Sequence, residues 1–117
     1  MEYLDLCKAV FRKEVVDWEI RKLESRKRQL VQARQISMYL GNWFWPHLTG
    51  DQLAEPFAKD RCTAMHAIKT MKNLMFSDRA LRERIDRYVV QIRKNINDDI
   101  GEDINEEVFQ QSDFFTN

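Results

Sequence analysis

Residues 49–78 read TGDQLAEPFAKDRCTAMHAIKTMKNLMFSD, and this stretch decides the fold. Thr49 followed three places later by Gln52 is a capping-box pattern: the hydroxyl takes the Gln52 backbone N–H and the amide side chain answers the Thr49 N–H. A short helix over about 50–56 follows, with Pro56 at its end, and Phe57-Ala58-Lys59-Asp60 reads as a tight turn. Asp60, or Cys62-Thr63, then opens a longer helix over about 61–75. Its predicted inner stripe is Ala64, Met65, Ala67, Ile68, Met71, Leu74 and Met75. A short and a longer helix joined by a three- or four-residue turn make the helix-turn-helix pattern.

Working outward, Leu6, Ala9, Val10 and the Tyr3/Phe11 pair recur at helical spacing and predict a first helix over 3–13. Residues 15–23, VVDWEIRKL, predict a second, short helix. After the polar run Ser25–Arg28, the positions Leu30, Val31, Ala33, Ile36, Met38, Tyr39 and Leu40 predict a helix from about Leu30 to Phe44, stopped ahead of Pro46. Downstream, Ser77-Asp78 is an N-cap signal for a last helix with Leu81, Ile85, Tyr88 or Val89, and Ile92 inward. The expectation is an all-α helix-turn-helix bundle of about five to six helices over residues 1–95, followed by an acidic amphipathic extension over 96–117.

Composition agrees. With three glycines and two prolines in 117 residues, the chain lacks the turn residues an all-β sandwich needs. No apolar run is long enough to span a membrane, and the N-terminus lacks the apolar region of a signal peptide, so a cytoplasmic protein is expected. Cys7 and Cys62 stand 55 residues apart with no CxxC spacing, which reads as two thiols in a reducing compartment. His47 and His66 have no neighbouring second ligand, so no metal and no cofactor are expected. No nucleophile stands near a base, so no enzyme activity is expected either.

The net charge of zero hides a split. Residues 96–117 hold Asp98, Asp99, Glu102, Asp103, Glu106, Glu107 and Asp113 with no base, so residues 1–95 carry 19 basic against 12 acidic side chains. A basic body suits a polyanion; an unevenly charged but otherwise ordinary helical surface is the alternative.

Double-stranded DNA is the partner this pattern points to. A helix-turn-helix sets the first residues of its second helix against base edges. Here these are Lys59, Asp60, Arg61, Cys62 and Thr63, with Lys59 expected to hold a phosphate. Arginine matches guanine O6 and N7; aspartate accepts from cytosine N4 or orients a neighbouring arginine; threonine reaches a phosphate or a thymine methyl. Upstream, Arg26, Lys27 and Arg28 precede a helix carrying Arg34 and Gln35, and loop cations beside a helix N-terminus attract phosphate or enter a narrow minor groove. A solvated loop is the alternative for 26–28, and a surface ion pair for Arg34. His66 shares a helix face with Cys62 and Lys69; packing under the helix and base reading are its two readings. Cys62 is either semi-buried or a base contact. The cluster Trp43, Phe44, Trp45 reads as core, with single-strand stacking the alternative.

The string SRKRQLVQARQISMYL (25–40), followed by KDRCTAMHAIKTMKNLMFSD (59–78), resembles the C-terminal DNA-binding domain of the bacterial chromosomal replication initiator family, DnaA. That family's pattern is a basic loop, an ARQ(I/M)AMYL helix, a short turn helix, and an (R/K)DH(T/S/A)TV(L/I)HA signature. The resemblance implies a Trp-repressor-like helix-turn-helix. It implies minor-groove insertion for Arg26, with Arg28 at a nearby basic position, and phosphate contacts for Arg34 and Gln35. It aligns Asp60, Thr63, His66 and Ala67 with the signature. Arg61 stands where the family has histidine, Cys62 where it has the first threonine, and the Gly-Gly ahead of the signature is missing. No GxxxxGK(S/T) loop is present, so a free-standing binding domain that takes no nucleotide is expected.

Two other classes stay open: an interaction module that kept the fold and lost DNA, and an autonomous repressor dimer. In the extension, Ile96, Ile100, Ile104 and Val108 recur every four residues among the acids. That stripe is expected to dock on the body, on a second copy or on another protein, or the acids are expected to cover the basic face.

Overall fold

The computed structural model describes residues 1–100, and its only regular elements among them are helices, with no strand. Five α-helices follow one another: α1 (Tyr3–Lys13), α2 (Arg28–Phe44), α3 (Gly50–Ala54), α4 (Arg61–Ser77) and α5 (Arg79–Ile100). Single 3₁₀ turns lie at Trp18–Ile20 and Glu55–Phe57. The bundle is the expected all-α helix-turn-helix. The acidic stretch 101–117, and the docking expected of it, lies outside the described residues; α5 itself runs through the expected junction at 95/96.

Local chemistry sets most of the boundaries. Thr49 Oγ1 accepts from Gln52 N at 3.1 Å and Gln52 Oε1 accepts from Thr49 N at 2.8 Å, closing the capping box of α3. Asp60 caps α4 and Asp78 the start of α5, the latter accepting from Leu81 N at 3.1 Å. Ala58 sits at φ 54, in the left-handed region, and the Lys59 N–H reaches back to the Ala54 carbonyl at 3.2 Å. This is the helix-end geometry that glycine usually supplies, met here by alanine.

The helix expected over 15–23 does not form. Val15 is left-handed at φ 57, and Val16 N bonds the Phe11 carbonyl at 2.9 Å, which turns the chain out of α1. Asp17 then caps Glu19 N at 3.0 Å, leaving one 3₁₀ turn and an irregular loop to Lys27.

α2 is the spine, packed against α1, α3 and α4, and α5 lies on α4. Leu6, Val10, Phe11, Leu30, Ile36, Leu40, Leu53, Phe57, Met71 and Ile85 are all buried. Phe11 stacks on Phe57 at 5.7 Å and meets Trp18 edge-on at 5.0 Å, so α1, the loop and the α3–α4 turn share one aromatic contact. At Gly41, α2 closely approaches α1 and α3: a Cβ there would fall 2.3 Å from the Tyr3 ring and 2.8 Å from Leu53. Tyr3 also donates its hydroxyl to the Leu53 carbonyl at 2.6 Å. Trp43, Phe44 and Trp45 are half-buried against the core, as the core reading expected.

Candidate nucleic-acid interface

Two segments far apart in sequence are laced together. The loop 21–27 crosses to the helix-turn-helix: Arg21 Nε donates to the Pro56 carbonyl at 3.1 Å, and Lys59 Nζ meets Glu24 Oε1 at 2.6 Å. Lys59 holds the Glu24 carboxyl below its usual range, mainly through that hydrogen bond. Arg26, Lys27 and Arg28 follow directly and are exposed, with Arg28 the first residue of α2. The basic run therefore begins two residues from a contact with the turn that opens α4.

Arg34 has a different place from the one expected. It is only 6% exposed. Its Nε donates to the Arg21 carbonyl at 2.8 Å and its Nη2 to the Leu23 carbonyl. Burial lowers its pKa, and nearby Glu24 opposes that shift. A guanidinium spent on two loop carbonyls is not a surface phosphate contact; it fixes the path of the loop that carries Arg26. Lys59 is likewise engaged, with its side chain 17% exposed. Gln35 is half-buried on α2.

At the start of α4 the side chains divide between capping and exposure. Asp60 Oδ1 accepts from Thr63 N at 3.0 Å and lies 3.2 Å from Thr63 Oγ1. These bonds, the backbone one first, hold the Asp60 carboxyl below the ordinary aspartate value. Arg61 is exposed; its N–H donates to Asp51 Oδ1 at 3.0 Å, and its stem lies against Gly50, where a Cβ would come within 2.7 Å of Arg61 Cγ. Gly50 thus gives the arginine stem room to cross the start of α3.

The outer face of α4 is formed by Cys62, Met65, His66 and Lys69, all exposed. Cys62 is not semi-buried, and His66 does not pack under the helix; its Nε2 lies 3.4 Å from Thr70 Oγ1. Met65, placed in the core by the sequence pattern, is 56% exposed, and Leu74 is 38% exposed. Sequence reasoning missed Met65 as a member of this face. The missing signal was its spacing from Cys62 and Lys69, three and four residues away, which puts it beside them rather than with Ala64 and Met71.

Among the described residues no group of three or more His, Cys, Asp or Glu side chains is placed to hold a metal, and no helix is long and apolar enough to cross a membrane.

The chain is similar to chromosomal replication initiator proteins DnaA. It is 30% identical to the Flavobacterium psychrophilum protein over 71 residues and 34% identical to the Bacteroides thetaiotaomicron protein over 71, in each case 61% of this chain. It is 40% identical to the Rickettsia canadensis protein over 60 residues, 51% of this chain. The matches span only 13 to 15% of those relatives' own length. No protein-family profile matches the chain, and no solved structure does.

Proposed function

We propose that this protein binds double-stranded DNA sequence-specifically, without chemistry of its own, through the DnaA-like region, and acts in the control of replication or transcription at the nucleoid. α4 enters the major groove. Arg61 leads as the guanine reader, while Cys62, Met65, His66 and Lys69 line the groove behind it. The loop cations Arg26, Lys27 and Arg28 lie along the adjacent backbone or in the minor groove. Asp60 and Thr63 set the helix start, and Arg34 sets the loop. The relationship to proteins named as chromosomal replication initiators supports this reading.

The observation that carries it is the lacing of the loop to the turn through Lys59–Glu24 and Arg21–Pro56. It ties the loop that carries Arg26, Lys27 and Arg28 to the turn just ahead of Arg61, which supports a shared duplex-facing surface. The test is an unbiased selection from random-sequence duplexes. One enriched motif, bound less tightly as salt rises, is the expected result; no enrichment over input sequences rejects the reading.

A second reading, an interaction module that no longer binds DNA, draws on one observation: Arg34 and Lys59, both expected on phosphates, are occupied inside the protein. Binding insensitive to salt favours it.

A further inference from the structure

A second basic surface shares no residue with the candidate interface. Between the C-terminal half of α1 and the middle of α5 runs an open groove of about 820 Å³. Val10 and Ile92 are buried at its floor and Tyr88 is half-buried beside them. Arg12, Lys13, Arg84 and Arg87 line it. Among the described residues the one carboxylate lining it is Glu14, and that group is already engaged: it accepts from the Tyr88 hydroxyl at 2.6 Å and from the Arg84 guanidinium. Asp86 stands beside Arg87 outside the lining. The groove thus offers an apolar strip, made by Ala9, Tyr88 and the arginine and lysine stems above the buried Val10 and Ile92, flanked by cations in excess.

We propose that this groove is the docking site of the chain's own acidic C-terminal segment, residues 102–117. Three observations select this occupant. The first is charge complementarity. The segment holds Glu102, Asp103, Glu106, Glu107 and Asp113 with no base, and Ile104, Val108, Phe109, Phe114 and Phe115 supply apolar side chains for the strip. The second is continuity: Asn95 lines the groove's end on α5, and the segment follows in the chain a few residues later. The third is reach. From Asn95 back to Arg84 is about 16 Å of helix, which the segment's 16 residues span even when helical, at about 24 Å. Tethering adds to this, because a linked segment meets its site at a millimolar effective concentration. The proposal stands apart from the DNA reading: it concerns α1 and α5, and it holds or fails whether or not α4 binds a duplex.

The test is amide NMR on the full chain, comparing it with a variant carrying Glu102→Lys, Asp103→Lys, Glu106→Lys and Glu107→Lys. The expected result is a set of shift changes centred on Val10, Arg12, Lys13, Arg84, Tyr88 and Gln91, unaltered by dilution. Reversing Arg12, Lys13 and Arg87 to Glu in the same variant should bring the groove shifts back toward the starting positions. Should the multiple variant not fold, high salt applied to the unaltered chain should move the same groove amides, because salt screens the contact. Shift changes centred on residues 26–28 and 61–69 overturn the proposal and put the segment on the candidate DNA face. Changes that vanish on dilution overturn it in favour of a second copy. A groove that responds to neither variant nor salt overturns it outright.

Discussion

Lys59 Nζ lies 2.6 Å from Glu24 Oε1, so the turn that opens α4 grips the loop residue two places ahead of Arg26. The pair is peripheral, since Glu24 is almost wholly exposed, and exposed ion pairs contribute little stability. Its effect is positional. With Arg21 on the Pro56 carbonyl and Arg34 on the Arg21 and Leu23 carbonyls, it ties three elements to one loop path.

Arg34 is the buried strut of that path. Arg34→Met keeps the stem volume and leaves two loop carbonyls without their donor, at a cost of about 2–4 kcal/mol for the charge-assisted bonds. Arg34→Lys, which lacks the planar fork, should recover only part of this. Chemical denaturation measures the loss. Amide exchange should rise over residues 21–25 first; unchanged exchange there contradicts the strut role.

Arg61 and Arg26 should separate by readout. Arg61→Ala is expected to cost about 1–3 kcal/mol on a selected duplex and little on a random one. Arg26→Ala should weaken both. Equal losses at Arg61 on cognate and random duplexes count against base reading by this side chain.

Met65 and Met71 test the two faces of α4. Met71 is fully buried, and Met71→Ala should cost about 2–5 kcal/mol of stability. Met65 is 56% exposed, so Met65→Ala should stay within about 0.5 kcal/mol while lowering duplex affinity. The reverse pattern, seen by thermal unfolding and fluorescence anisotropy, would place Met65 inside.

Asp60 gives a pH signature. Its folded pKa is depressed by the Thr63 N–H, so the cap stabilises the fold above the ordinary aspartate pKa of about 3.9, and this is lost as pH falls through the lower folded value. Asp60→Asn keeps an acceptor oxygen without the charge. At neutral pH the Tm order should be Asp, then Asn, then Ala; the gap between Asp and Asn should close on acidification. A gap independent of pH contradicts the charged cap.

Much of this architecture is legible in the sequence because its causes are local. The Thr49/Gln52 box and the Asp60 and Asp78 caps each depend on residues three apart, and the bounds of α1 follow from one apolar period. What escapes sequence reading is decided at longer range. Arg34 looks like a surface cation because its acceptors are backbone carbonyls 11 and 13 residues away, which side-chain spacing does not reveal. Met65 looks like core because α4 carries apolar residues on two adjoining faces, and only the placement of α2 and α5 selects one of them. The helix expected over 15–23 fails at Val15, whose left-handed backbone no propensity favours in a β-branched residue.

The most direct test of the central claim is the salt dependence of affinity for a random-sequence duplex. Arg26, Lys27, Arg28, Arg61, Lys69 and Lys72 are exposed on the loop and α4. If the five other than the base reader Arg61 act together on one backbone, a log–log slope of about −4.5 is expected, falling by about 0.9 for each one removed. A slope near zero, unchanged by Arg26→Ala, would contradict a shared duplex-binding surface.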